Sequence, residues 1–271
     1  MAFEEPAEGR FAAKGQGRGV GGAGTAPVAT LAIGPLAGAA AALLAGMAVW
    51  AFGQAFGPVF ALPPQLANLP TPAPVHLLNA QAEAGARANV YNTLLTMGLF
   101  GGLVGAALAT AEGWGRRSWG MAAAGGPISA AVGLLFGGLA AWLALLLDAC
   151  DAARLNLVDL GKTALVQAVM LATLGAGLGI GVGLLSRSRK TVLRCLLGGW
   201  LGGCLAGFLY PVAAAWLLPA ADTESVIPRG PVNHLLWIGM VAGLLGATIP
   251  AGSSRGKPLQ YSAPQTLNPE P

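Results

Sequence analysis

Charge is missing from most of this chain, and where it is missing constrains the fold more than any motif does. No Asp, Glu, Lys or Arg occurs in 19–82, 88–111, 118–147, 163–186, 195–221 or 230–254. A helix needs about 20 apolar residues to cross a hydrocarbon core of about 30 Å. Each run is long enough for one crossing. The longest counts once, because its part 62–82 is polar and rich in proline. Six spans are therefore predicted, at 31–57, 90–111, 120–147, 164–185, 195–218 and 233–250. Only 10% of the residues are charged, against about 25% in a soluble domain. Lipid offers no hydrogen bonds to the backbone, so a spanning segment must satisfy its own. The expected class is an all-α integral membrane protein.

The net charge of +4 does not point to nucleic acid, because position matters more than the sum. Six spans put the N-terminal tail, the 112–119 and 186–194 loops and the C-terminal tail on one side. That side holds Arg10, Lys14, Arg18, Arg116, Arg117, Arg187, Arg189, Lys190, Arg194, Arg255 and Lys257; the other holds Arg87, Arg154, Lys162 and Arg229. Basic residues favour the cytoplasmic side. Both termini are therefore expected in the cytoplasm, the location is a plasma (bacterial inner) membrane, and the first partner is the lipid bilayer. Residues 1–30 read as a flexible cytoplasmic tail, too long and too acidic for a signal peptide. Residues 251–271 form a second tail, and 58–89 is a Pro-rich outer loop, of which 75–90 could form a short helix leading into the second span.

Within the spans a pattern repeats. Leu94–Leu108, LLTMGLFGGLVGAAL, returns as Leu235–Ile249, LLWIGMVAGLLGATI, with seven of fifteen positions identical. A looser copy starts at Leu171. The odd-numbered spans resemble one another too. GPISAAVGLLFGGLAAW from Gly126 matches GPLAGAAAALLAGMAVW from Gly34 at seven of seventeen positions. Trp50, Trp142 and Trp216 fall at the same end of three odd spans, where an aromatic belt is expected; Arg116 and Arg117 anchor the opposite interface beside Trp114 and Trp119. The unit is a helix pair used three times in parallel, which implies a pseudo-threefold axis along the membrane normal.

Glycine rows follow this repeat: Gly98, Gly102 and Gly105; Gly175, Gly179 and Gly183; Gly199 and Gly203; Gly239, Gly243 and Gly246. Lipid gives helices no hydrophobic reason to associate, so small residues that let backbones approach supply the packing. These rows are expected to join helices within the chain, or to serve a homo-oligomer or partner membrane subunit. By their equivalence in the repeat, Gly102→Leu and Gly243→Leu should both destabilise the bundle.

Candidate chemistry is sparse. No ionisable residue lies in the middle of a predicted span, although such residues usually mark transport or proton relay. The polar residues within spans include Gln54, Asn92, Thr96, Ser129, Gln167 and Thr173, and each can bond across helices or to its own backbone. Asn92 and Asn233 share a repeat position and read as caps or loop anchors. His76 and His234 have no metal-ligand spacing. Cys150, Cys195 and Cys204 form no disulfide or metal pattern. The Gly-rich segment GQGRGVGGAG lacks the ending of a phosphate loop, and Ser129 is in no nucleophile elbow. No catalytic residue, cofactor or metal is expected.

Three parallel helix pairs with both termini on one side resemble the plan of the mitochondrial carrier family. That family marks its odd helices with Pro-x-Asp/Glu-x-x-Lys/Arg. Here the prolines lead into PLAGAA at Pro35 and PISAAV at Pro127, without charge, so neither activity nor residues carry over. The function expected is a non-enzymatic structural or assembly component, with a channel or facilitator for a small neutral solute as the alternative.

Overall fold

The computed structural model describes residues 28–70, 73–151, 159–186, 188–218, 227–228 and 230–253. Both predicted tails, apart from a few residues at their helix ends, and the basic residues Arg10, Lys14, Arg18, Arg154, Arg187, Arg229, Arg255 and Lys257 lie outside the described residues. The described elements are all helical: α1 (Val28–Phe56), α2 (Pro64–Ala67), α3 (Val75–Gly115), α4 (Trp119–Asp151), α5 (Asp159–Leu184), α6 (Arg189–Leu217) and α7 (Pro231–Ser253). Six of them, all but α2, are long and apolar enough to cross a membrane.

The largest difference from the predicted spans is at α3. The second span is expected at 90–111, yet the helix is continuous for 41 residues, about 62 Å at 1.5 Å per residue. Its first fifteen residues are rich in alanine and free of proline, and Glu83 and Arg87 pair across one turn at 3.7 Å. Nothing therefore stops the helix before Pro74. The proline-rich segment ahead of it forms one short turn, α2, and is tied back onto α3. Gln81 Nε2 donates to the Leu66 carbonyl at 2.7 Å, while Asn92 donates to the Phe60 carbonyl and accepts from its N–H, both at 2.9 Å. Asn92 is thus a loop anchor.

The six long helices fall into two layers. Among the described residues α3, α5 and α7 all touch one another, whereas α1, α4 and α6 touch only central helices: α1 lies on α3 and α7, α4 on α3 and α5, α6 on α5 and α7. In the most apolar stretch of each, 44–72% of residues are buried in the central three and 22–33% in the peripheral three. Large side chains fill the space between the central helices. Phe100, Leu174, Leu178, Trp237 and Leu245 are all below 2% exposed, and the Phe100 and Trp237 rings stand 5.6 Å apart.

Glycine sets the approach of peripheral to central helices. A Cβ on Gly101 would collide with the Gly133 carbonyl, and one on Gly133 with the Gly101 carbonyl. Gly175 and Gly199 stand in the same reciprocal relation, as do Gly246 and Gly38. The direction of a missing Cβ is that of a Cα hydrogen, so each glycine aims one at the facing carbonyl. Such contacts are worth about 0.5–1 kcal/mol each. The seams continue at four-residue steps. Along α3 and α4, Gly105 meets Ser129 and Gly137 meets Met97; along α5 and α6, Gly179 meets Cys195 and Gly203 meets Leu171. Neighbours in these seams run antiparallel. Gly183 closes the second seam, 2.7 Å from the Val192 Cα by the same measure.

The other predicted rows sit differently. A Cβ on Gly98 would be in ordinary contact with Leu134 at 3.5 Å, and one on Gly102 would press on Leu134 Cγ at 3.0 Å. The backbone-to-backbone approach on α3 is thus made by Gly105 of the predicted row and by Gly101, which that row leaves out. On α7 a Cβ at Gly239 or Gly243 would meet nothing within 4 Å, whereas Gly246 lies against Gly38 and Ala39. The equivalence of Gly102 and Gly243 in the repeat therefore does not extend to their surroundings: among the described residues no neighbour requires glycine at 239 or 243.

Candidate functional site

The polar residues of the spans are not spread evenly. A buried group of them gathers at the end of the bundle where α1, α4 and α6 finish and the 58–70 segment lies. α7 begins there at Pro231, so Asn233 and Trp237, four residues apart, lie on one helix face. α5 brings Gln167 to the same level, and α6 brings Tyr210. The Trp237 indole donates to Gln167 Oε1 at 3.0 Å, and the Tyr210 hydroxyl donates to Asn233 Oδ1 at 2.7 Å. All four side chains are buried, as are Thr93 and Thr163 close to the same end of α3 and α5. The His234 ring stands 6.1 Å from Trp237. Its Nε2 is buried and has no hydrogen-bond partner among the described residues.

Each of these two bonds satisfies a neutral donor with a neutral acceptor where water is excluded. Interhelical bonds of this kind contribute on average about 0.6 kcal/mol in a membrane protein, and up to about 1.7. Breaking one takes a partner from a buried polar group, which costs more than the bond itself contributes. The pairs lock α7 to α5 and to α6. A third bond adds α1, because Trp50 Nε1 donates to the Pro231 carbonyl at 3.1 Å. At the rim, Lys162 and Asp148 pair at 3.2 Å and join α5 to α4. The arrangement holds five helices in register at one end.

No group of three or more His, Cys, Asp or Glu side chains able to hold a metal occurs among the described residues. His76 is exposed at the start of α3 while His234 lies within the bundle, so the structure does not bring the two histidines together. Ser129 is fully buried, has no hydrogen-bond partner among the described residues and packs against Gly181 of α5. Thr173, Thr110 and Thr248 return their hydroxyls to carbonyls one turn back, at 2.8–2.9 Å. Cys195 is buried in the α5–α6 seam and Cys204 is half-buried.

The predicted anchors divide in the same way. Trp142 and Trp216 are 51% and 83% exposed, whereas Trp50 is half-buried by its bond to α7. At the opposite end Arg116 caps α3 and pairs with Glu112 at 2.7 Å. Arg117 turns the chain towards α4 with a φ of 53°.

Reading the sequence identified Gln167 and Asn233 and missed their partners. Tyr210 and Trp237 look like apolar packing residues or interface aromatics in a linear sequence. A signal was available: each sits well inside a span, where a buried O–H or N–H requires an acceptor. No protein-family model, curated protein or solved structure matches the chain.

Proposed function

We propose that this chain is a non-enzymatic multi-pass membrane protein with a structural or assembly role, a rigid six-helix body that a partner subunit or a second copy packs against. The observation that carries this reading is the filled centre. Phe100, Trp237, Leu174, Leu178 and Leu245 occupy the space between the three central helices, and the polar side chains beside them are paired with each other. A facilitator for a small neutral solute, the second reading, needs a path lined by groups that a solute can bond. The Trp237–Gln167 pair lies across that path.

We further propose three helix pairs related by a pseudo-threefold axis. The support is cyclic: each central helix makes its closest seam with the peripheral helix that follows it, α3 with α4 and α5 with α6, and the ring closes as α7 packs on α1. Each of these seams has one reciprocal glycine pair. For orientation, five of the seven described basic residues, Arg116, Arg117, Arg189, Lys190 and Arg194, lie at one end, and Arg87 and Lys162 lie towards the other. The positive-inside rule makes that end cytoplasmic, with both termini there, in a bacterial inner membrane.

The functional test is co-purification of the full chain from native membranes in a mild detergent, alongside solute flux into proteoliposomes. A stoichiometric partner, or a stable second copy, with flux no greater than in empty vesicles, is expected. Glycerol or urea flux well above that baseline, abolished by Trp237→Leu or Gln167→Leu, would replace this reading with the facilitator. Single cysteines at Pro70 or Ser225 in a cysteine-free chain should label from outside, and one at Arg116 should not. The reverse pattern overturns the orientation.

A further inference from the structure

The arginine end carries a feature that the packing of the bundle does not use. Between α3 and α4 lies a cavity of about 540 Å³, open along one side, whose lining includes Ala106, Thr110, Trp119, Ala123, Gly126 and Ala130. Pro127 completes the lining with Ala122, and apart from Thr110, Trp119 and Pro127 the lining residues present nothing larger than a methyl group. Thr110 spends its hydroxyl on the Ala106 carbonyl at 2.8 Å, so the groove offers an apolar surface. Its mouth is different. Trp119 packs against Trp114 with ring centres 5.4 Å apart and a 46° tilt, and the two residues are 73% and 67% exposed. Arg117 stands in the turn two residues before Trp119. Its neighbour Arg116 is occupied by Glu112, whereas Arg117 has no ion pair among the described residues. The basic start of α6, Arg189, Lys190 and Arg194, lies at the same end.

We propose that this groove seats one anionic phospholipid, with an acyl chain along the alanine and glycine surface and the phosphate at Arg117. A lipid matches both parts of the site at once. Its chain covers apolar lining that has no group to hydrogen-bond, and its headgroup neutralises a cation placed beside interfacial tryptophans, the pairing that membrane interfaces favour. A partner helix with no acidic residue at this level would fill the groove but leave Arg117 without a counter-charge.

The test is native mass spectrometry of the full chain released from nanodiscs containing equal dioleoyl phosphatidylglycerol and dioleoyl phosphatidylcholine. Wild type should retain one phosphatidylglycerol in preference to phosphatidylcholine. Ala123→Phe, at an exposed position that points a ring into the groove, should lose the retained lipid. Arg117→Gln should keep a lipid but lower the phosphatidylglycerol preference by roughly fivefold, the effect of one basic residue at an anionic surface. Equal retention of the two lipids by wild type overturns the proposal, as does unchanged retention in both variants. If Ala123→Phe instead removes a bound protein or a second copy while phosphatidylglycerol is retained, the groove is a protein interface and the proposal fails.

Discussion

The glycine row on α5 and the one on α7 look alike in sequence and differ in what surrounds them. Gly175, Gly179 and Gly183 face α6 so closely that any side chain would strike its backbone. Gly239 and Gly243 have the same four-residue spacing and face open space. A small-residue row records only that a helix can be approached. Whether it is approached depends on which helix lies opposite, and α7 is held by its other faces: by Gly246 on α1, by Tyr210–Asn233 on α6 and by Trp237–Gln167 on α5.

The comparison is sharpest under substitution. Gly175→Leu should have the largest effect, because the new side chain meets the Gly199 carbonyl and Leu245 with nowhere to go. A loss of roughly 3 kcal/mol or more is expected, at the upper end for overpacking. It should appear as a failure to recover monodisperse protein in mild detergent. If that variant purifies and unfolds like wild type, the seams do not hold the bundle together. Next comes Trp237→Phe, which keeps most of the ring but removes the donor to Gln167. A cost of about 1–2 kcal/mol is expected from the stranded amide oxygen. Adding Gln167→Leu should recover much of it, a non-additivity that a double-mutant cycle would read directly.

Smaller effects test the open row. Gly243→Ala should raise stability by about 0.5–1 kcal/mol, the usual gain on replacing an interior helical glycine. Gly243→Leu should stay within about 0.5 kcal/mol of wild type, like a surface change. Both can be read from thermal unfolding in detergent. A collapse of Gly243→Leu, together with loss of a higher-mass species, would mean that another chain covers this face of α7. The two rows would then be equivalent after all, one closed within the chain and one between chains.

Asn92 and Asn233 show how far a repeat can be read. They share a position in the repeat, and both lie at the end where α1, α4 and α6 finish. Asn92 anchors the proline-rich segment through Phe60, while Asn233 bonds Tyr210 within the bundle. Among the described residues the first has the 58–70 segment beside it and the second does not bond to it, so equal positions met unequal neighbours. The reach of α3 back to Val75 was partly legible: its alanine-rich, proline-free start marks a helix, but its continuity with the span depends on the loop that packs along it.

By itself the sequence determined the class and the number of long apolar helices. Both follow from local composition, since uncharged runs of sufficient length have one stable form in lipid. It also determined which end of each span carries the basic residues. The tertiary structure decided which glycines are in contact, which helices are central, and that Gln167 meets Trp237 and Asn233 meets Tyr210. Those pairings join residues 70 and 23 positions apart. No local pattern encodes them, because a helix in lipid has several faces of similar apolarity and only its neighbours select among them.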